Sequence, residues 1–210
     1  TQLGGLTAGM VEGLTTTQLA ALNSTQLRSL SVAALSALSP EQFAALGTSN
    51  LSALTTTQMG GLNSTDVSQL TVTQLAVLSP TQMAALSTGA IAGLNAEQLA
   101  ALTTTQLGGL TAQTVTAFAQ TQLGALSAAQ IGAVSATAIK GLSETQIAGL
   151  TTAQLAGLTA TQLAGLSTVQ MHSLTAGQIG ALNGAQLSSL TATQFGALTP
   201  TAAAGLTPNQ

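Results

Sequence analysis

Apolar residues recur at two fixed positions in every block of eight, and the pattern runs from Leu3 to Leu206 without an insertion or deletion. Leu3 and Leu6 define positions 3 and 6 of the octad, and the only weak apolar position is Ala203. Further pairs are Leu19 and Leu22, Leu27 and Leu30, Phe43 and Leu46, Met83 and Leu86, Leu163 and Leu166, and Phe195 and Leu198. So strict a repeat indicates that each octad is one structural unit packed against other octads.

Position 7 of the octad has the composition of a helix N-cap. It is Ser, Thr or Asn throughout, apart from Gly47 and Ala119, and these are residue types that helix N-caps prefer. All four prolines follow position 7 directly, at the first helical position, where proline is well tolerated; they are Pro40, Pro80, Pro200 and Pro208. Position 2 is usually Gln, three residues after the cap, so the capping box recurs along the chain.

These signals predict an all-α solenoid with one capped helix of about six or seven residues in each octad, followed by a single capping residue. A continuous helix is excluded because apolar spacings of 3 and 5 drift off any straight or supercoiled seam. Isolated helices this short are unstable in water, so packing between octads must stabilise them. Since Thr-rich short repeats also occur in β-solenoids, a β-solenoid remains the alternative.

The octad also predicts which side chains meet. On a helical wheel positions 3 and 6 share one face, position 1 points to solvent, and the small residues at positions 4 and 5 allow close approach. The Gln amide lies where it could bridge to a neighbouring layer.

Position 2 departs from Gln at every third octad along part of the chain, which favours three octads per coil; two or four remain alternatives. These departures are Asp66, Ala90, Thr114 and Ala138. We expect one continuous solenoid over residues 1–210.

The composition argues against an enzyme. Charged residues make up 3% of the chain and aromatic residues 1%, and Cys, Trp and Tyr are absent. The one histidine, His172, has no second His or Cys with which to share a metal, and the carboxylates are at least three octads apart. These are Glu12, Glu41, Asp66, Glu97 and Glu144. We predict no catalytic, cofactor-binding or metal-binding residues and no cofactor. A small net charge of −3 and the absence of a long apolar run argue against nucleic-acid binding and membrane insertion.

Three segments match the N-glycosylation pattern: Asn23-Ser-Thr, Asn50-Leu-Ser and Asn63-Ser-Thr. Asn23 and Asn63 are also explained as helix caps. The Thr-rich and Ser-rich outer face is a more general candidate for O-linked glycans.

The segments LTTTQLAAL, LSPEQFAAL and LTATQLAGL resemble octad arrays in long, low-complexity surface or secreted proteins of bacteria, often labelled adhesin-like or haem-utilisation-like. The resemblance covers the whole chain and implies a repeat architecture, but it carries over no catalytic residues. Haem binding is not expected, because one His and no Cys provide no convincing set of axial ligands.

We therefore expect a structural protein outside the cell or at its surface: a filament, biofilm-matrix fibre or stalk. The sequence starts and stops within the repeat, without the polar capping units that solenoids normally need, so a longer array or end-to-end stacking of subunits is expected. The alternative is an adhesin or ligand-binding surface, in which regularly spaced Thr residues match ice or a polysaccharide.

Overall fold

The computed structural model describes residues 7–208 and 210, and this part of the chain is helical without any strand. The prediction of an all-α repeat architecture is confirmed, because each octad forms a short helix and the helices pack against one another. The first pair of apolar positions, Leu3 and Leu6, lies outside the described residues.

The chain divides into two compact units, Thr1–Gly109 and Leu110–Gln210. The helices of the first unit are α1 (Ala8–Glu12), α2 (Thr16–Ala20), α3 (Ser24–Arg28), α4 (Val32–Ser36), α5 (Pro40–Ala44), α6 (Thr48–Ala53), α7 (Thr56–Gly60), α8 (Ser64–Ser68), α9 (Val72–Ala76), α10 (Pro80–Ala85), α11 (Thr88–Ala92), α12 (Ala96–Ala101) and α13 (Thr104–Gly108). Those of the second are α14 (Ala112–Thr116), α15 (Gln120–Gly124), α16 (Ala128–Ala133), α17 (Ala136–Ile139), α18 (Glu144–Ala148), α19 (Thr152–Ala156), α20 (Ala160–Ala164), α21 (Thr168–His172), α22 (Ala176–Gly180), α23 (Gly184–Ser188), α24 (Ala192–Gly196) and α25 (Pro200–Ala203).

Most of the helices are shorter than the six or seven residues that the sequence pattern predicted. They contain five residues in most octads, for example in α2, and six in α6. The predicted length of six or seven residues assumed that one capping residue separates consecutive helices. Instead the chain leaves the helix through two extended residues: Leu54 at position 6 has φ −57° and ψ 137°, and Thr55 at position 7 has φ −73° and ψ 159°. Where the helix has only five residues, as in α2, the residue at position 5 also lies outside it, so three residues and not one separate consecutive helices.

The interior of each unit is made from positions 3 and 6, as predicted. Leu99 and Leu102 are 0% and 4% exposed in the first unit, and Ile147 and Leu150 are 0% and 4% exposed in the second. Position 1 is exposed in every octad that the structure describes. Burial of the apolar pair weakens in the last repeats, where Phe195 is 38% exposed.

Helices three octads apart pack side by side within each unit. In the first unit α7 packs against α10 and α8 against α11; in the second, α16 packs against α19 and α22 against α25. Sequence neighbours are thus separated by corners, and each of these helices packs against a helix three octads away, in a neighbouring layer. This arrangement places the side chain at position 2 between two layers.

Candidate functional site

The Gln at position 2 is the polar residue that most octads share, and its first role is local. The backbone N–H of Gln58 donates to the Thr55 hydroxyl oxygen at 3.2 Å, and Gln58 Oε1 accepts from the Thr55 backbone N–H at 3.0 Å. This is the predicted capping box, and it pairs two backbone groups that a helix start would otherwise leave unpaired. The same geometry closes α22, where Thr175 and Gln178 exchange both hydrogen bonds.

The second role of Gln lies between layers. Gln58 Nε2 donates to the carbonyl oxygens of Leu27 at 2.9 Å and Leu30 at 3.0 Å, which lie 31 and 28 residues earlier. In the second unit Gln178 Nε2 reaches Ile147 and Leu150 at 3.0 and 2.8 Å, with the same separations. The hypothesis that the amide bridges to a neighbouring layer is confirmed. Gln58 is 3% exposed, so these bonds form away from water, where an unpaired carbonyl is costly.

Polar side chains at position 4 form a second set of interlayer bonds on the outside. Arg28 Nε donates to the Ala53 carbonyl at 2.7 Å, and the Ser36 hydroxyl donates to the Gly61 carbonyl at 3.1 Å. His172 Nδ1 lies 3.1 Å from the Ala197 carbonyl oxygen. Each of these contacts spans 25 residues. Where position 4 is Ala or Gly this outer bond cannot form, so the Gln bonds carry most of the polar contact between layers.

In several octads the glycine at position 5 leaves space for a neighbouring backbone. A Cβ added to Gly157 would lie 2.6 Å from the Ala128 carbonyl oxygen, and one added to Gly93 would overlap with the backbone of Ser64. No described glycine has a positive φ, so a special backbone conformation does not explain these glycines. The small residue lets the N-terminus of one helix approach the C-terminus of another.

The departures from Gln at position 2 have different structural consequences, which sequence reasoning did not foresee. Asn50 keeps one interlayer bond, from Nδ2 to the Leu22 carbonyl oxygen at 2.9 Å. Ala90 has no amide, but the capping hydroxyl of Ser87 donates to the Leu62 carbonyl at 3.0 Å. In the register of the repeat, this is the carbonyl to which a Gln in the place of Ala90 would have donated.

The ionisable residues do not come together. The described residues contain no group of three or more His, Cys, Asp or Glu side chains that could hold a metal ion. Glu41 is exposed, and its pKa is lowered by hydrogen bonds from its own backbone N–H and from the Ser39 hydroxyl. Asp66 is buried, and burial raises the pKa of its carboxyl, opposed by a hydrogen bond from the Asn63 backbone N–H.

The three N-glycosylation matches differ in accessibility. Asn50 is 6% exposed, and its Nδ2 is engaged with the Leu22 carbonyl. Asn23 and Asn63 are exposed helix caps whose Oδ1 atoms accept backbone N–H groups.

Asn23 and Asn50 both border a shallow open groove together with Gly47 and Ser49. A second open groove is lined by Val169, His172 and Pro200.

Repeated capped helices, a buried apolar pair and a shared Gln amide define an all-α repeat protein. The ALTTAQ repeat model matches residues 11–48, 24–56, 76–112 and 150–184, which together cover more than half of the chain. The chain therefore belongs to the ALTTAQ repeat family. No curated protein matches it. In the described part of the chain, none of the helices has the length and apolar character needed to span a membrane.

Proposed function

We propose that this protein is structural: a bacterial extracellular filament, matrix fibre or stalk whose subunits associate end to end. The observation that carries the proposal is the recurrence of one set of interlayer bonds. Gln58 in the first unit and Gln178 in the second donate to carbonyls 28 and 31 residues earlier. A layer built this way presents the same acceptors to whatever packs on it next, so a heterologous contact between subunits could use the same chemistry and propagate.

The surface chemistry also supports a structural role. Position 1 is exposed in every described octad and is most often Thr, and charged residues make up only 3% of the sequence.

The proposal includes a coil of about three and a half octads. Hydrogen bonds between layers span 25 to 31 residues, and this range is centred slightly beyond the three octads that the sequence favoured.

Cryo-electron microscopy of the purified full chain over a concentration series tests this function. We expect filaments with an axial repeat of about 8–10 Å, the distance between packed helices. Monodisperse particles at every concentration would refute end-to-end association. A dominant spacing of about 4.8 Å would indicate stacked strands and would refute this kind of filament.

A second candidate function is binding of ice or a polysaccharide through the Thr residues of position 1. The exposure of this position in all described octads favours it. Thr57→Lys and Thr81→Lys change two exposed side chains without touching the buried positions. If the surface binds a repetitive ligand, these variants lose thermal hysteresis or polysaccharide retention but keep their filaments. Unchanged retention would argue against this function.

A further inference from the structure

Asp66 is the only acidic residue at the buried position 2, in the place that Gln occupies in most octads. It is 3% exposed, and its Oδ2 accepts the Asn63 backbone N–H at 2.9 Å, which reproduces the local half of the capping box. A carboxylate has no hydrogen to donate, however. The interlayer half of the Gln role can therefore be reproduced only if the carboxyl group is protonated.

The register of the repeat defines which acceptors Asp66 meets. Gln58 and Gln74, in the octads on either side, donate to carbonyls 28 residues earlier, Leu30 at 3.0 Å and Leu46 at 2.9 Å. The corresponding carbonyl for Asp66 is that of Leu38, which is buried. A deprotonated Asp66 thus brings a negative charge to a position where neighbouring octads place an N–H donor.

In another octad a side chain as short as aspartate reaches the equivalent acceptor. Asn50 has the same length as Asp, and its Nδ2 lies 2.9 Å from the carbonyl oxygen of Leu22, 28 residues earlier. A protonated Asp66 has its hydroxyl group on the atom equivalent to that amide nitrogen. The geometry seen at Asn50 is therefore available to the acid form of Asp66.

The surroundings contain little else that titrates. Helix α8 packs against α5 and α11, and Gln98 of α12 donates to its Val67 carbonyl. Glu97, the charged residue of α12, lies on the exposed position 1. Glu41 is the charged residue on α5, and it lies on the exposed position 1; α11 carries no ionisable residue, and neither does α4, which precedes Leu38. No cation is therefore placed on these elements to stabilise the carboxylate, and burial disfavours the charged form.

We propose that Asp66 is a proton-controlled joint between two layers. In acid its carboxyl group donates a hydrogen bond to the Leu38 carbonyl and holds the layers as Gln does. At neutral pH the carboxylate repels that carbonyl, and the joint is weakened. The folded state then binds a proton more tightly than the unfolded state, so this contribution to stability is complete below the unfolded pKa and is lost as pH rises through the folded pKa.

Denaturant unfolding of the full chain between pH 3.5 and 8 tests the proposal against Asp66→Asn, which keeps the side-chain length and donates at every pH. At pH 8 we expect the wild type to be less stable than the variant, and this difference should shrink as the pH falls. Each unit by which the folded pKa exceeds the unfolded one changes the ratio of unfolding constants about tenfold. Parallel pH profiles would overturn the proposal.

Two controls separate this joint from other carboxyls and from packing. Glu41→Gln removes an exposed carboxyl whose pKa is lowered, so it should change the pH profile with the opposite sign. Ala90→Gln adds an amide at the same octad position without a charge, and any effect on stability should be independent of pH.

A carbon NMR titration of the wild type provides a second measurement that does not depend on whether the variant folds. We expect the Asp66 carboxyl carbon to titrate above the usual range of aspartate, and the Leu38 carbonyl carbon to shift with the same midpoint. A titration at or below the usual value, or a Leu38 signal that ignores it, would refute the joint.

Discussion

The consecutive octads around Ala90 and Gln98 solve the same packing problem with different polar groups. Gln98 Nε2 donates to the carbonyls of Val67 at 2.9 Å and Leu70 at 2.7 Å. In the Ala90 octad the donor is the Ser87 hydroxyl, which reaches Leu62 at 3.0 Å and also caps α11 by accepting from the Ala90 N–H at 3.0 Å. One octad thus needs two side chains, Asn95 and Gln98, for the cap and the layer contact, and the other uses a single hydroxyl for both.

The difference indicates that the apolar pair, more than the Gln amide, defines the octad. Ile91 and Leu94 are 0% and 3% exposed beside Ala90, and Leu99 and Leu102 are 0% and 4% exposed beside Gln98. The core is therefore equally buried with and without Gln. The amide adds hydrogen bonds to a layer that apolar burial already holds together.

The largest effect should come from the core and should be the same in both octads. Leu99→Ala and Ile91→Ala each remove a fully buried side chain, and each should lower the free energy of unfolding by about 2–5 kcal/mol. Denaturant unfolding of the two variants measures this. A much smaller loss for Ile91→Ala would break the comparison, because it would mean that the octad without Gln is less tightly packed.

The next effect concerns the glycines of the Ala90 octad. A Cβ at Gly93 would overlap with the Ser64 backbone, whereas one at Gly89 would meet only the Ser87 hydroxyl at 3.8 Å. Gly93→Ala should therefore destabilise by about 1–3 kcal/mol through overpacking. Gly89→Ala, the matched control in the same octad, should stabilise by about 0.5–1 kcal/mol because alanine favours the helix. Equal thermal midpoints for the two variants would contradict the close approach of the layers.

A smaller loss is expected when the amide is removed from the Gln octad. Gln98→Ala leaves the Val67 and Leu70 carbonyls without this donor and removes the acceptor for the Asn95 N–H. It should cost about 2 kcal/mol. Thr105→Ala, at the exposed position 1, is the control and should be nearly neutral. If Gln98→Ala is also neutral in urea unfolding, the interlayer amide adds nothing to stability.

The smallest difference should separate two capping residues. Thr103→Ala removes a cap whose interlayer contacts are made by Gln106, so it should cost about 1 kcal/mol. Ser87→Ala removes a cap together with the bond to Leu62, and it should cost about 0.5–1 kcal/mol more. Amide hydrogen exchange in α11 and α13 would resolve this difference. Equal losses would mean that the Ser87–Leu62 bond contributes nothing.

The sequence predicted interactions within one octad better than interactions between octads. The caps, the Gln capping boxes, the buried positions 3 and 6 and the exposed position 1 all follow from local rules, and the structure confirms them. The sequence overestimates the length of most helices because residue type gives no sign that they end after five residues, as α2 does at Ala20. The partners of each amide, such as the Leu27 and Leu30 carbonyls for Gln58, depend on how the layers are offset. A strict repeat cannot specify that offset, because every octad looks alike.

For the candidate site, the sequence predicted no catalytic, cofactor-binding or metal-binding residues. It did not indicate that the carboxyl group of Asp66 is buried. Its octad position lies in the first helical turn, where a carboxylate is usually favourable near the helix N-terminus. Residue type alone therefore gives no sign of an unusual environment. Every position-2 residue from Ala34 to Ala202 is nevertheless buried, and recognising that burial would have marked Asp66 as unusual from its octad position alone.

The exposure of position 1 has a consequence for how such a chain can change over time. Glu41, Gln113 and Val169 all stand at this position and are exposed, so an acidic, an amide and an apolar side chain are accepted at equivalent places in the repeat. One residue in eight can therefore vary freely while the rest maintains the architecture. A lineage could alter this exposed face without redesigning the scaffold beneath it, and a protein engineer could use the same positions to display chosen groups at regular intervals.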